Sequence, residues 1–160
     1  MSLIQLKQPR LRMSGAAKRD VRTQFGALCY RIRDDKPQVL LVTSRNSRRW
    51  IIPKGWPMDG ETPAEAALTE AQEEAGVEGK ASNICLGLFT YTKIMDGDDD
   101  DLPCAVSVFP VKVKRLHADY PEMRERERKW FSLKKAAARV REPELREIIN
   151  NFNPQILRTQ

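Results

Sequence analysis

The sequence holds one histidine, His117, and three cysteines, Cys29, Cys85 and Cys104. A single histidine argues against any mechanism that needs two. Without a Cys-x-x-Cys spacing it argues equally against a Cys/His zinc centre. An odd number of cysteines cannot all pair, which reads as a reduced, cytoplasmic setting. No apolar run approaches the roughly 18 residues required to cross a bilayer, so no membrane association is expected. Residues 1–20 are basic (Lys7, Arg10, Arg12, Lys18, Arg19) but lack the apolar stretch of a secretory signal. Aromatics are sparse at 7%, no glycine-aromatic RNA-binding motif is present, and little aromatic character interleaves the basic patches. Nucleic acid therefore stays open as a partner but is not favoured. Internal repeats and Pro/Gly/Ser-rich linkers are also missing.

What is present is charge, unevenly placed. The 160 residues carry 28 Lys+Arg against 22 Asp+Glu, a formal +6, with 41% hydrophobic residues, as expected of one ordinary globular domain. From Gly55 to Gly79 there are seven acids (Asp59, Glu61, Glu65, Glu70, Glu73, Glu74, Glu78) and no base. Asp96 and Asp98–Asp101 form a second acidic block, which reads as a solvated loop rather than a calcium site. The remainder is strongly basic. Such segregation points to a cation site set among groups able to hold an anion.

Phe25–Ile32 and Val39–Thr43 read as strands joined by the turn residues Arg33-Asp34-Asp35-Lys36-Pro37-Gln38. Trp50-Ile51-Ile52 is a short apolar run, and Lys54-Gly55-Trp56-Pro57 reads as a loop. The best-marked helix starts at Thr62-Pro63-Ala64-Glu65, with a capping threonine, proline at the first helical position and glutamate three residues on. Its apolar face is Ala64, Ala67, Leu68, Ala71 and Ala75, and Gly76 stops it. Ile84–Thr92 and Ala105–Val113 read as strands flanking the Asp-rich block. Lys129-Trp130-Phe131 makes another strand, and Ser132 caps a helix running to about Arg141. A last helix after Glu142-Pro143 carries Leu145, Ile148, Ile149 and Phe152 on one face. Trp50 and Trp130 read as core; Phe89 and Tyr91 are either structural or able to stack on a base. The order of elements predicts an α+β fold, a mixed α/β/α sandwich. The expected organisation is a basic N-terminal arm over 1–20, a single domain over 21–153 and a C-terminal tail over 154–160.

On the capped helix Glu70, Glu73 and Glu74 stand at i, i+3 and i+4, on an edge beside the alanine face. Like charges so spaced destabilise a helix by about 0.2–0.5 kcal/mol per pair, and hard cations such as Mg²⁺ favour such oxygen donors. Taken alone, Glu-x-x-Glu-Glu is most simply a solvated acidic face. The wider spacing changes this. Gly55, then Glu61, then Glu70-Ala71-Gln72-Glu73-Glu74-Ala75-Gly76-Val77 resembles the Nudix box: glycine, five residues, glutamate, seven residues, Arg-Glu-apolar-x-Glu-Glu-x-Gly-apolar. The departure is Thr69, where that family has arginine.

The resemblance implies a Nudix fold, a mixed central sheet with the box helix on one side and C-terminal helices. It implies that Glu70, Glu73, Glu74 and the Gly55 carbonyl hold Mg²⁺, with Mn²⁺ as a substitute. Glu73 and Glu74 are then the candidate catalytic residues, and Glu61 and Thr69 stand in support. In the family the box arginine pairs with box glutamates. Threonine cannot, so reduced activity is expected unless Arg45, Arg48 or Lys54 compensates. Arg49-Trp50-Ile51-Ile52-Pro53-Lys54-Gly55 and Arg126-Glu127-Arg128-Lys129-Trp130-Phe131 are similar to the branch holding diphosphoinositol polyphosphate phosphohydrolases and diadenosine polyphosphate hydrolases, in its bacterial form. That likeness implies cleavage of a phosphoanhydride bond in a polyphosphorylated small molecule by a metal-activated water. It also implies Arg22, Arg45, Lys54, Arg126 and Arg128 as substrate contacts. The resemblance implies a general base either from the box or from a later loop; Glu122, Glu125 and Glu127 lie in such a loop but read first as solvated partners of their arginine neighbours. The competing readings are a weakened Nudix domain serving as a nucleotide-binding or regulatory module, and an RNA-processing Nudix protein. Either a monomer or a homodimer fits.

Overall fold

Near-continuous apolar runs within Thr23–Arg33 (β1) and Lys36–Thr43 (β2), whose successive side chains point to opposite faces, set the architecture. Phe25, Ala27, Cys29, Leu40 and Val42 share one face of the sheet, whereas Leu28, Tyr30, Val39 and Leu41 share the other. With both faces apolar, the sheet requires a helical layer on each side. The computed structural model of the protein describes residues 22–93 and 102–157. The basic arm over 1–20 and the Asp96–Asp101 block lie outside the described residues.

Eight strands form one mixed sheet: β1, β2, Trp50–Ile51 (β3), Lys54–Gly55 (β4), Val77–Ala81 (β5), Gly87–Lys93 (β6), Leu102–Leu116 (β7) and Arg128–Ser132 (β8). The long β7 runs parallel to β1, pairing Thr23 with Ala105 through Tyr30 with Lys112. The other pairings are antiparallel. β1 and β2 pair only from Tyr30/Val39 to Arg33/Lys36. Beyond that, β2 takes β3 and β1 takes β4, so segment 50–55 fills the gap between diverging strands. Helix Pro63–Ala75 (α1) covers the face of Phe25, Ala27, Val42, Phe109 and Val111. Helices Leu133–Arg139 (α2) and Pro143–Asn150 (α3) cover the opposite face, with Leu28, Leu41, Phe89, Val106 and Phe131. The result is the expected mixed α/β/α sandwich.

Several boundaries differ from the sequence reading, each for a physical reason. The first hairpin is tighter: only Asp34 and Asp35 turn, both at positive φ (52° and 62°), and Lys36-Pro37-Gln38 continue the strand. Two positive φ values suit the twist of a two-residue hairpin. Lys54-Gly55 is a short strand rather than a loop. β5, with the polar sequence Val-Glu-Gly-Lys-Ala, carries little apolar signal because it is an edge strand with a bulge at Glu78/Gly79. β6 begins at Gly87 rather than Ile84, and α2 ends at Arg139. A 3-10 turn occupies Pro154–Leu157. Trp50 and Trp130 are only half-buried: Trp50 packs edge-on to Phe131, and the Arg31 guanidinium lies 4.2 Å from the Trp130 ring centroid. All three cysteines are unpaired.

α1 begins and ends as its sequence dictates. Thr62 Oγ1 accepts the Glu65 N–H (3.2 Å), and Gly76 adopts a left-handed conformation (φ 67°). Gly76 donates to Ala71 and Gln72 carbonyls and accepts the His117 N–H (2.8 Å), fastening the helix end to the end of β7. A Cβ there would come within 2.5 Å of Tyr120 Cδ1 and 2.7 Å of Arg128 Nη1. Gly76→Ala should therefore cost about 1–3 kcal/mol of unfolding free energy, measured by urea denaturation. An unchanged midpoint would show that the helix end is not fixed as described.

Candidate active site

Alanines allow α1 to lie close to the sheet, and that closeness brings acidic side chains into the interior. Ala64, Ala66, Ala67, Ala71 and Ala75 are buried. Leu68, expected on this face, is only partly buried, and Ala66 replaces it. Glu74, next to Ala75, is 3% exposed. Its Oε2 accepts the Lys54 backbone N–H (3.0 Å), and its Oε1 lies 3.1 Å from Arg126 Nη2. Burial pushes the Glu74 carboxyl up, while the charges of Arg126 and Lys54 oppose the shift.

Glu70 lies one turn earlier on the same edge. A Cβ at position 55 would fall on its carboxyl group, so only glycine admits Glu70 against the β4 backbone. Burial, then the charges of Glu74 and Glu73 and a hydrogen bond with Glu74, push the Glu70 carboxyl up to about 8. Two carboxylates this close and partly desolvated share a proton when no cation lies between them. Glu73 is half-buried; its carbonyl accepts the Glu122 N–H (3.0 Å), and its side chain does not line the cleft. Glu61 is held by the Thr69 hydroxyl (3.4 Å), which also bonds the Glu65 carbonyl (3.1 Å).

The cation facing the box glutamates comes from far along the chain. Arg126 Nη2 bridges Glu74 and Glu122 Oε1 (3.0 Å), its Nε donates to the same Glu122 oxygen (3.1 Å), and its Nη1 donates to the Thr43 carbonyl (3.1 Å). Its side chain is 9% exposed. Compensation for Thr69 was expected from Arg45, Arg48 or Lys54; the side chain that pairs with Glu74 is Arg126. Glu122 pairs with Arg126 and Arg45, as its arginine neighbours suggest, but it stands in the cleft rather than in open solvent, and its charge acts on Glu70.

The cleft, about 240 Å³, is lined by Glu70, Glu74 and Glu122 with Gly55, and by Arg45, Lys54, Lys93, Arg126, Gln24, Trp56 and Tyr91. Lys54 is half-buried with its Nζ 4.9 Å from the Tyr91 ring centroid; desolvation lowers its pKa, partly opposed by Glu74. Tyr91 donates its hydroxyl to Gln24 Oε1 (2.5 Å). Phe89, by contrast, is core at 2% exposure and cannot stack on a base. Two expected substrate contacts stand outside the cleft lining. Arg22 is exposed at the start of β1, its carbonyl accepting the Ala105 N–H. Arg128 donates to the Ala75 carbonyl (2.7 Å) and stacks on Tyr120, so its guanidinium is engaged at the end of α1. Sequence reasoning missed Gln24 outright. Its only signal is a polar residue at a buried strand start.

The donor set fits a hard divalent cation. Glu70 and Glu74 meet as an acid pair that needs a proton or a cation, the cradle at Gly55 is oxygen-bearing backbone, and Glu122 is nearby. Among the described residues no three carboxylates converge into a finished ligand set. Cys29 is no nucleophile here: burial and the Glu74 charge push its thiol far up.

A sandwich of this topology, with carboxylates on the inner edge of its one-sided helix, is the Nudix fold. A Caenorhabditis elegans Ap4A hydrolase structure superposes with a TM-score of 0.61 at 22% identity, over 81% of this chain and 94% of that one. The Escherichia coli dihydroneopterin triphosphate pyrophosphohydrolase superposes with a TM-score of 0.61 at 20% identity, over 82% and 94%. Residues 22–152 match the NUDIX domain, and the chain belongs to that family. It is 36% identical over 120 residues to the Arabidopsis thaliana protein named Nudix hydrolase 12, mitochondrial, covering 74% of this chain and 59% of the relative. It is 33% identical over 111 residues to mouse diphosphoinositol polyphosphate phosphohydrolase 3-alpha, covering 68% and 63%. The chain thus spans about three-fifths of the length of these relatives.

The acid pair makes stability depend on pH. A Glu70 carboxyl raised from 4.5 to about 8 binds a proton in the folded state that the unfolded chain has already released. Metal-free protein should therefore lose stability as pH rises from about 4.5 through 8. Glu70→Gln should flatten this slope. Melting temperatures in EDTA across that range test it; equal slopes in both proteins would contradict the shared proton.

Proposed function

We propose that this chain hydrolyses a phosphoanhydride bond in a polyphosphorylated small molecule, of diadenosine polyphosphate or diphosphoinositol polyphosphate type, with Mg²⁺ and with Mn²⁺ as a substitute. The observation that carries the reading is the acid pair Glu70/Glu74, held against Gly55 in a cleft whose other walls carry Arg45, Lys54, Lys93 and Arg126. A cation able to replace a shared proton and an anion able to meet several bases would be held side by side. The relatives named for diphosphoinositol polyphosphate and Ap4A support the substrate class.

Glu70, Glu74 and the Gly55 carbonyl would hold the cation, with Glu73 on the same helix edge. Bound there, the metal would lower the pKa of a water and neutralise charge on the phosphates. The chain's own groups supply the rest. Arg126 holds Glu74 and Glu122 in place, and the Lys54 N–H fixes the second Glu74 oxygen. Lys54 and Arg45 offer donors to phosphate oxygens. Of the carboxylates able to take a proton from the attacking water, Glu122 is 20% exposed and reaches the cleft more openly than Glu74 at 4%. Thr69 keeps Glu61 bound to the helix but leaves the box without its arginine, and Arg126 fills that charge requirement. The working unit is the single domain over 21–153, flanked by the basic arm over 1–20 and the tail over 154–160, as a monomer or homodimer. Among the described residues no helix is long and apolar enough to cross a membrane. Three unpaired cysteines suit a reducing compartment such as the cytoplasm.

A Mg²⁺-dependent hydrolysis screen tests this over diadenosine polyphosphates, diphosphoinositol polyphosphates, ADP-ribose, nucleoside triphosphates and capped RNA. Turnover is expected on the first two. Glu70→Gln and Glu74→Gln should each lower kcat/KM by at least about 100-fold, roughly 2.7 kcal/mol of transition-state stabilisation. Nucleotide binding without turnover on any substrate would replace the enzyme with a binding module.

A further inference from the structure

A second, more open cavity lies beside the cleft and shares Arg45 with it. It measures about 500 Å³ and is lined by Arg45, Asn46, Arg48, Arg124 and Glu125. Three guanidiniums face one carboxylate. Among the described residues no ion pair engages Arg48 or Arg124. Arg45 is 57% exposed and only loosely paired, 3.9 Å from Glu122 and 3.8 Å from Glu125.

Both walls are stitched in place. In residues 44–49 the Ser44 N–H donates to the Arg49 carbonyl (2.8 Å), the Arg48 N–H donates to the Ser44 carbonyl (3.2 Å), and Ser44 Oγ accepts the Arg49 N–H (3.1 Å). Arg48 itself takes a left-handed backbone (φ 55°), unusual for arginine, which fixes where its side chain leaves the loop. On the other wall the Glu122 N–H is bonded to Glu73, the Glu125 N–H to Glu122, and the Glu127 N–H to Thr43 Oγ1 (2.9 Å). Arg126 joins the two walls through the Thr43 carbonyl. The backbones that present these guanidiniums are already fixed, so an anion would need to order only the side chains.

We propose that this cavity is an anion subsite that takes phosphate groups of the substrate lying beyond the cleaved linkage, with Arg48 and Arg124 as its specificity-determining residues. The proposal rests on the reading of the adjoining cleft as a phosphoanhydride site. It deepens that reading by assigning preference for a substrate with more phosphates than one diphosphate. Arg45, on the shared rim, spans the two. Glu125 sets a limit on bound negative charge by repelling ligands that do not meet all three arginines.

The test is calorimetric titration of the full chain in EDTA with inorganic tripolyphosphate and with orthophosphate. Arg48→Asn keeps a residue that tolerates the left-handed backbone, and Arg124→Gln changes an exposed side chain, so the double variant should fold. Its affinity for tripolyphosphate should fall roughly tenfold or more, two charge-assisted contacts being lost. A matched control, Arg33→Gln/Lys36→Gln at the exposed hairpin tip, should stay within about twofold of the parent. Arg124→Glu alone should weaken binding further than Arg124→Gln. The proposal is overturned if the parent binds tripolyphosphate no better than orthophosphate, or if the double variant and the control behave alike. A hydrolysis screen without turnover, alongside the expected affinity loss, would remove phosphoanhydride cleavage and leave the subsite. Turnover with unchanged affinity would do the reverse.

Discussion

Two like charges on one helix edge, turned toward the protein interior, are the constraint around which this structure is arranged. Glu70 and Glu74 repel each other and lose hydration on folding, so each must be compensated locally. Glu74 receives a guanidinium and a backbone N–H, whereas among the described residues no cation pairs with Glu70, whose carboxyl is pushed up by burial and by Glu74. The asymmetry is informative. A fold-stabilising acid pair would have been neutralised from both sides; here one side stays open to the cleft, and the unsatisfied half is where a cation gains most.

Everything that holds this pair follows from small residues and close approaches. Alanines let α1 approach the sheet; a larger apolar face would lift the carboxylates out of reach of β4. Gly55 removes the Cβ that would displace Glu70, and Gly76 turns the chain sharply enough to meet β7. The loop over 121–127 then closes on the helix through the Glu122–Glu73 backbone bond and on β2 through Thr43. The acidic helix and the basic loop are thus mechanically one unit, so a change in either would be felt by the other.

The local part of this was legible in the sequence. Thr62, Pro63 and Gly76 mark α1 because caps act within one turn, and the spacing from Gly55 to Val77 singles out Glu70 and Glu74, which the fold brings to the cleft. The near-continuous apolar runs in β1 and β2 are those of strands buried on both faces. What stayed hidden is what depends on residues far apart. Arg126 meets Glu74 across 52 residues of sequence, and nothing in the string Arg126-Glu127-Arg128 distinguishes an arginine that turns inward from its neighbour that caps a helix end. The place of Glu122 inside the cleft stayed hidden for the same reason: in sequence its arginine neighbours suffice to explain it. The inward turn of Glu74 was obscured because helical geometry places it at the margin of the alanine face, where burial depends on how closely the helix packs.

The net charge of +6 can accordingly be divided by what each cation does. Counting bases near the box overstates the positive charge offered to a ligand, because the fold itself engages several of them. Arg49 is bound to the buried Glu142 at 2.8 Å, Arg126 is shared among Glu74, Glu122 and Thr43, and Arg128 is fixed on the Ala75 carbonyl. All three hold elements together; Arg126 also lines the cleft, whereas Arg49 and Arg128 do not. Lys54, Arg45, Arg48 and Arg124 are different: desolvation weakens the charged form of the first, and the other three are exposed with loose ion pairs or none among the described residues. A polyanion would improve the surroundings of all four without breaking a bond the fold needs. The cations that the folded chain leaves least satisfied are therefore the ones an anion would meet at least cost, Lys54 and Arg45 in the cleft and Arg48 and Arg124 in the cavity beside it.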